Sequence, residues 1–188
     1  LGTIPYGGNT VTSDLVQGLG ITQHDAEQLK EAYGCAYEPL VDPEQVIAMP
    51  PSASHGERHI SRELMTHIIH QRMDEIFDKV VREVSQAGFQ GKLNAGIVLT
   101  GGGASLEGIT ELAADVFGLG VRIGVPGAKL DGLVENVTDP QFATAAGLAL
   151  YGAHRAALGG VVARRPSLSG AGVDKLATRV KTWLQDFF

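Results

Sequence analysis

A chain of 188 residues that is 44% hydrophobic and 19% charged is long and apolar enough to bury a core, which excludes a disordered polymer. A formal net charge of -6, with no Lys/Arg cluster in the part that reads as globular, argues against a nucleic-acid partner, because such binding needs clustered cations to neutralise phosphates. The single cysteine, Cys35, allows no intramolecular disulfide and reads as a small buried hydrophobe. No apolar run approaches the roughly 20 residues of a spanning helix, so any membrane contact is expected to be peripheral.

The opening LGTIPYGGNTV reads as a strand-like turn entry rather than a chain start, so a longer parent protein is expected. A turn at Gly7 and Gly8 leads into helix, with Thr12 as the expected N-cap and Val11, Leu15, Val16 and Leu19 as the apolar face. Between residues 35 and 60, Pro39, Pro43, Pro50 and Pro51 interrupt short apolar pieces such as VIAM, a pattern that predicts a small hairpin-like sheet. From Ser61 the period becomes helical. Leu64, Met65, Ile68, Ile69, Ile76, Phe77, Val80, Val81 and Val84 recur at offsets of three and four, with Ser61 as cap and Gly88 or Gly91 as stop.

The run AGIVLTGGGASLEGITELAADVFG predicts a strand, a glycine turn and a helix from about Leu106 to Phe117. GVRIGVP supplies a second strand, as in a parallel sheet buried on both faces. Asp139 followed by Pro140 reads as an N-cap with proline at the first helical position. The helix it opens carries Ala143, Ala145, Ala146, Gly147 and Ala149, small side chains expected to let it approach its neighbours closely. Residues 159–172, rich in Gly, Ser, Arg and Pro, predict a flexible linker.

Residues 173–188 are periodic again. Leu176, Val180, Trp183, Leu184 and Phe187 share one face, Phe188 follows, and Lys175, Arg179, Lys181 and Gln185 lie off the stripe. An ordinary core helix is the competing reading. The preceding linker, the terminal position and the concentration of Trp and Phe favour a membrane-targeting amphipathic helix. Its basic residues are nearly balanced by Asp174, Asp186 and a carboxylate at Phe188. An electrostatic contribution of about 1 kcal/mol per basic residue therefore largely cancels, and apolar insertion at about 0.8 kcal/mol per buried CH₂ must dominate.

Gly101, Gly102 and Gly103 sit between strand and helix, where missing Cβ atoms let backbone come close to a ligand such as a nucleotide. The motif is neither a Walker loop nor a dinucleotide fingerprint, and strand-to-helix turns also use glycine for steric reasons alone. The six histidines lack metal-site spacing. His67 and His70 come nearest, and no metal is expected.

Five segments occur in the order found in the FtsA family of bacterial cell-division proteins: IPYGGNTVTSDLVQGL, DAEQLKEAYG, HISRELMTHIIHQRMDEIF, IVLTGGGASLEGITELAADVFGLGVRIGVP and DPQFATAAGLALYG. The resemblance implies an α/β architecture. An actin-like (ribonuclease H-like) subdomain would span 1–19 and 93–158, with an inserted small α+β subdomain at 20–92, then the linker at 159–172 and the terminal amphipathic helix at 173–188. It also implies ATP as cofactor, with Mg²⁺ in a full-length protein. Gly101, Gly102 and Gly103 would lie under the adenosine and sugar, and Glu27 and Lys30 would flank the adenosine from the opposite subdomain. Without the resemblance, Glu27 and Lys30 read as an exposed helix face.

In the family, the two phosphate hairpins precede the IPYGGN segment, and they are absent from this sequence. Phosphoryl transfer depends on such clamps, so an ATP-binding adaptor is expected here rather than an enzyme. The resemblance further implies self-assembly into actin-like filaments and a location on the cytoplasmic side of the cell membrane at the division site. The small subdomain would dock the C-terminal peptide of the tubulin-like FtsZ. Arg58, Ser61 and Arg62, at a locally basic and exposed-looking helix start, are the expected contacts. A type IV pilus scaffold of the PilM kind, a sugar-kinase-like enzyme and a heat-shock chaperone are the alternatives within the superfamily.

Overall fold

A computed structural model of the chain describes residues 1–49, 56–127 and 137–157. The linker and terminal helix expected over 159–188, with Leu176, Val180, Trp183, Leu184, Phe187 and Phe188, lie outside the described residues. The chain divides into two units at Gly147 and Leu148, and the second is described only as far as Ala157.

In the first unit, α1 (Gly8–Leu19) and α2 (Gln23–Tyr33) are followed by an antiparallel hairpin of β1 (Val46–Met49) and β2 (Arg58–Ser61). The 25-residue α3 (Arg62–Gln86) comes next, then the parallel pair β3 (Ile97–Leu99) and β4 (Val121–Ile123), which α4 (Ile109–Phe117) connects. The last helix among the described residues, α5, runs over Ala143–Ala157. One buried cluster runs through α1, α2, the hairpin, α3 and α4. Met65, Ile69, Met73, Ile76 and Phe77 form the inward stripe of α3, at the spacing that keeps side chains on one helix face. They join Val11 and Leu15 of α1 in the core, and Arg72 clamps the two helices by donating Nε and Nη2 to the Asp14 carboxylate at 2.5 and 3.0 Å.

Several local expectations hold. Ser61 caps α3 by accepting the Leu64 N–H at 3.2 Å, and α3 stops just before Gly88, whose φ is +75°. Cys35 is buried, which pushes its thiol pKa above the ordinary 9.0.

Others are corrected. Thr12 is not an N-cap. The Gly7 carbonyl takes that place by accepting the Thr10 N–H at 2.9 Å, and Thr12 lies buried inside α1. The helix after the glycine turn starts at Ile109 rather than Leu106. Gly108 holds φ +71°, outside the helical region, and a Cβ there would lie 2.7 Å from that of Tyr37. Among the described residues the β3–β4 pair is covered on one face only. Leu99, Val121 and Ile123 pack against the core, whereas Val98 is 48% exposed, because alternate residues of a strand face opposite sides. Asp139 caps through its backbone only, accepting the Phe142 N–H at 3.1 Å, and a short 3₁₀ turn (Pro140–Phe142) precedes α5. Ala145 and Gly147 of α5 are exposed, with open space where a Gly147 Cβ would sit, so the expected close approach is not realised among the described residues. Small side chains permit such packing without supplying a partner.

Candidate functional site

The glycine turn follows directly from β3. Gly101 adopts φ +90°, a conformation that disfavours any side chain, and donates its N–H to the Pro140 carbonyl at 3.0 Å. Thr100 Oγ1 donates to the Gly124 carbonyl at 2.7 Å, which ties the end of β3 to the segment after β4. A 3₁₀ turn (Gly102–Ser105) then carries the chain toward α4. A Cβ built on Gly101, Gly102 or Gly103 would meet nothing within 4 Å. Internal crowding therefore does not demand these glycines. They leave a bare stretch of backbone facing open space, the surface over which a flat or phosphorylated ligand can come close.

Glu27 and Lys30 lie on α2, and among the described residues no hydrogen bond links them to the glycine turn. Their own arrangement is tight. Lys30 is only 8% exposed, so the exposed-face reading fails for it. Its ammonium donates to Glu27 Oε1 at 2.7 Å, Thr12 Oγ1 at 2.8 Å and, more weakly, the Gly8 carbonyl at 3.4 Å. Thr12 Oγ1 in turn reaches Glu27 Oε2 at 2.5 Å. A buried ammonium is tolerated only when paired and hydrogen-bonded, and this cluster supplies both conditions. Burial alone would raise the Glu27 carboxyl, but the hydrogen bonds from Lys30 and Thr12 outweigh it and hold the pKa below its ordinary 4.5. Glu27 keeps a partly exposed side chain, whereas Lys30 is occupied internally.

The basic start of α3 also differs from its sequence appearance. Arg58 donates from Nη1 to the Gly20 carbonyl at 2.9 Å and from Nη2 to the Leu19 carbonyl at 3.0 Å, closing the C-terminal end of α1. Arg62 donates to the Tyr33 carbonyl at 3.1 Å, Gln45 Oε1 at 2.8 Å and Glu107 Oε2 at 2.5 Å, and its side chain is 15% exposed. Ser61 is occupied as the cap of α3. The three residues expected as polar contacts for a peptide thus hold the fold together, and the exposed-looking reading of Arg62 is corrected.

An open groove of about 370 Å³ lies beside them, between the Pro-rich segment before β1 and the first turns of α3. Val41, Pro43 and the 47% exposed Leu64 give it an apolar wall, and Glu38, Glu63 and His67 a polar rim. His67 Nδ1 lies 2.9 Å from Glu38 Oε1. Thr66 contributes to the lining, is only 1% exposed, and its hydroxyl has no hydrogen-bond partner. The sequence reading missed this groove. It counted Leu64 within the buried stripe, although Leu64 lies one position before the Met65–Ile69 spacing that the core uses. Among the described residues, no group of three or more His, Cys, Asp or Glu could hold a metal ion, and no helix is long and apolar enough to cross a membrane.

Comparison with known proteins places this geometry. The family described as Cell division protein FtsA matches residues 1–147. The chain belongs to the FtsA family. It is 33% identical to the FtsA of Pseudomonas aeruginosa and 36% identical to that of Neisseria meningitidis serogroup B, covering 98% of this chain and 45% of each relative. The FtsA of Escherichia coli strain K12 is 36% identical over 79% of this chain and 37% of the relative. The chain thus spans less than half the length of these FtsA relatives. Among solved structures, MreB5 of Spiroplasma citri bound to ADP aligns with a TM-score of 0.56 and 21% identity, covering 79% of this chain and 44% of that one. The same protein bound to AMPPNP aligns at 0.59 and 20%, covering 84% and 47%. The fold is actin-like, and the family to which the chain belongs is one of cell-division proteins.

Proposed function

We propose that this FtsA-family chain is the part of a cell-division adaptor that docks the C-terminal peptide of FtsZ and ties it to the cytoplasmic face of the membrane. The observation that carries the docking reading is the open groove at the start of α3, where Leu64 stands exposed, one position out of phase with the core stripe. In this reading residues 20–92 form a small inserted subdomain that receives the partner. Residues 173–188 form the membrane helix, with Leu176, Val180, Trp183, Leu184, Phe187 and Phe188 as its inserting face. Titration of the FtsZ C-terminal peptide into the chain tests the docking. Saturable binding that Leu64→Ala weakens supports it, and no binding refutes it. Vesicle binding should survive high salt and fail in Trp183→Asp; loss in salt with no effect of that substitution would refute apolar anchoring.

ATP fits the residues present on one side only. The bare turn at Gly101, Gly102 and Gly103 can take the adenosine and sugar, and Glu27 can accept from a ligand hydroxyl while Lys30 holds it in place. Bound ATP would supply a conformational signal and, in a full-length protein with Mg²⁺, a hydrolysable phosphate. The reading for these 188 residues is binding rather than turnover, and head-to-tail filaments belong to the whole protein. Nucleotide-saturable phosphate release from the 188-residue chain would contradict the non-enzymatic reading.

A further inference from the structure

We infer that the groove at the start of α3 selects a peptide segment in which an apolar side chain is flanked by Lys or Arg, and rejects an acidic one. The inference deepens the peptide-docking reading and rests on it.

Charge points to the occupant first. Glu63 is exposed and makes no ion pair among the described residues, and Glu38 offers its carboxylate to His67 alone. The nearest arginine in sequence, Arg62, cannot offset them, since its guanidinium is committed to the Tyr33 carbonyl, Gln45 and Glu107. The rim is therefore acidic even though the helix start reads as basic. An acidic segment would meet like charge there, whereas a Lys or Arg gains an unpaired carboxylate.

The apolar wall is the second observation. Leu64 is 47% exposed beside Val41 and Pro43, so an apolar peptide side chain can cover all three. The Thr66 hydroxyl, though unpartnered, is closed to solvent and takes no part in the contact. Acidic rim and apolar wall together specify a basic, apolar peptide.

The test uses the 188-residue chain and two short synthetic peptides with the same apolar residues, one flanked by Lys and Arg and the other by Asp and Glu. Fluorescence anisotropy should show the basic-flanked peptide binding about tenfold more tightly. Glu63→Lys should remove that preference, and Glu63→Gln should reduce it if the lysine variant folds poorly. Leu64→Ala should weaken binding of the basic-flanked peptide about fivefold, because it removes the exposed apolar wall. Phe89→Ala, at a separate apolar cavity between the ends of α3 and α4, should leave affinity unchanged. Equal or tighter binding of the acidic-flanked peptide, or Glu63 variants without effect, would overturn the inference, as would binding of neither peptide. The FtsZ C-terminal peptide, measured alongside, separates the two readings. If it fails to bind while the basic-flanked peptide behaves as expected, the partner assignment falls and the groove stands. If it binds and is insensitive to Glu63 and Leu64, the groove falls and the partner stands.

Discussion

Two adjacent stretches at the start of α3 carry polar side chains for opposite purposes. Arg58, Ser61 and Arg62 direct all of their described hydrogen bonds into the fold, to α1, to the end of α2, to Gln45, to Glu107 and to the first turn of α3 itself. Directly after Arg62, Glu63 and Leu64 leave a charge and an apolar side chain exposed and without partners among the described residues. Availability rather than charge marks the surface for binding, and availability depends on residues far away in the chain.

Breaking the committed stretch should have the largest effect. Arg62→Glu would set a carboxylate beside Glu107 and strip the Tyr33 carbonyl and Gln45 of their donor, lowering stability in urea denaturation by about 2–4 kcal/mol. A loss of peptide binding in that variant would then reflect unfolding. Arg58→Ala removes the two hydrogen bonds closing α1 and should lower stability by about 1–2 kcal/mol. In the open stretch, Leu64→Ala should weaken FtsZ-peptide binding by about 1 kcal/mol, roughly fivefold, and change stability by less than about 0.5 kcal/mol. A larger stability loss there would mean that Leu64 belongs to the core.

The Thr12–Glu27–Lys30 cluster sharpens the comparison through pH. The Glu27 carboxyl is held below its ordinary 4.5 in the folded protein, so its stabilising contribution is complete above about pH 4.5 and disappears as pH falls through the lower folded value. Wild type should therefore lose more stability on acidification through this range than Glu27→Gln, as followed by thermal melts. Parallel acid profiles would show that the cluster contributes no linkage. The smallest effect belongs to Cys35, whose burial should make it react with a thiol reagent only as fast as the chain unfolds.

Much of the framework was legible in local pattern. The inward stripe of α3, the Ser61 cap, the Gly88 stop and the strand, turn and strand around Gly101, Gly102 and Gly103 all follow from spacings within a few residues. What was not legible involves long separations. Arg62 finds Gln45, Tyr33 and Glu107 at 17, 29 and 45 positions away, and Lys30 finds Thr12 at 18. The delayed start of α4 depends on Tyr37 standing where a Gly108 side chain would go. The groove escaped notice because Leu64 shares the composition of the core stripe and differs from it by one position of phase.

The most direct test of the contrast between committed and available side chains is an amide-resolved NMR titration of the chain with the FtsZ C-terminal peptide. The largest shifts should fall on Val41, Leu64, Thr66 and His67, with Tyr33, Arg58 and Glu107 little changed. Shifts centred on Arg58, Arg62 and their carbonyl partners, with the groove residues unmoved, would contradict it.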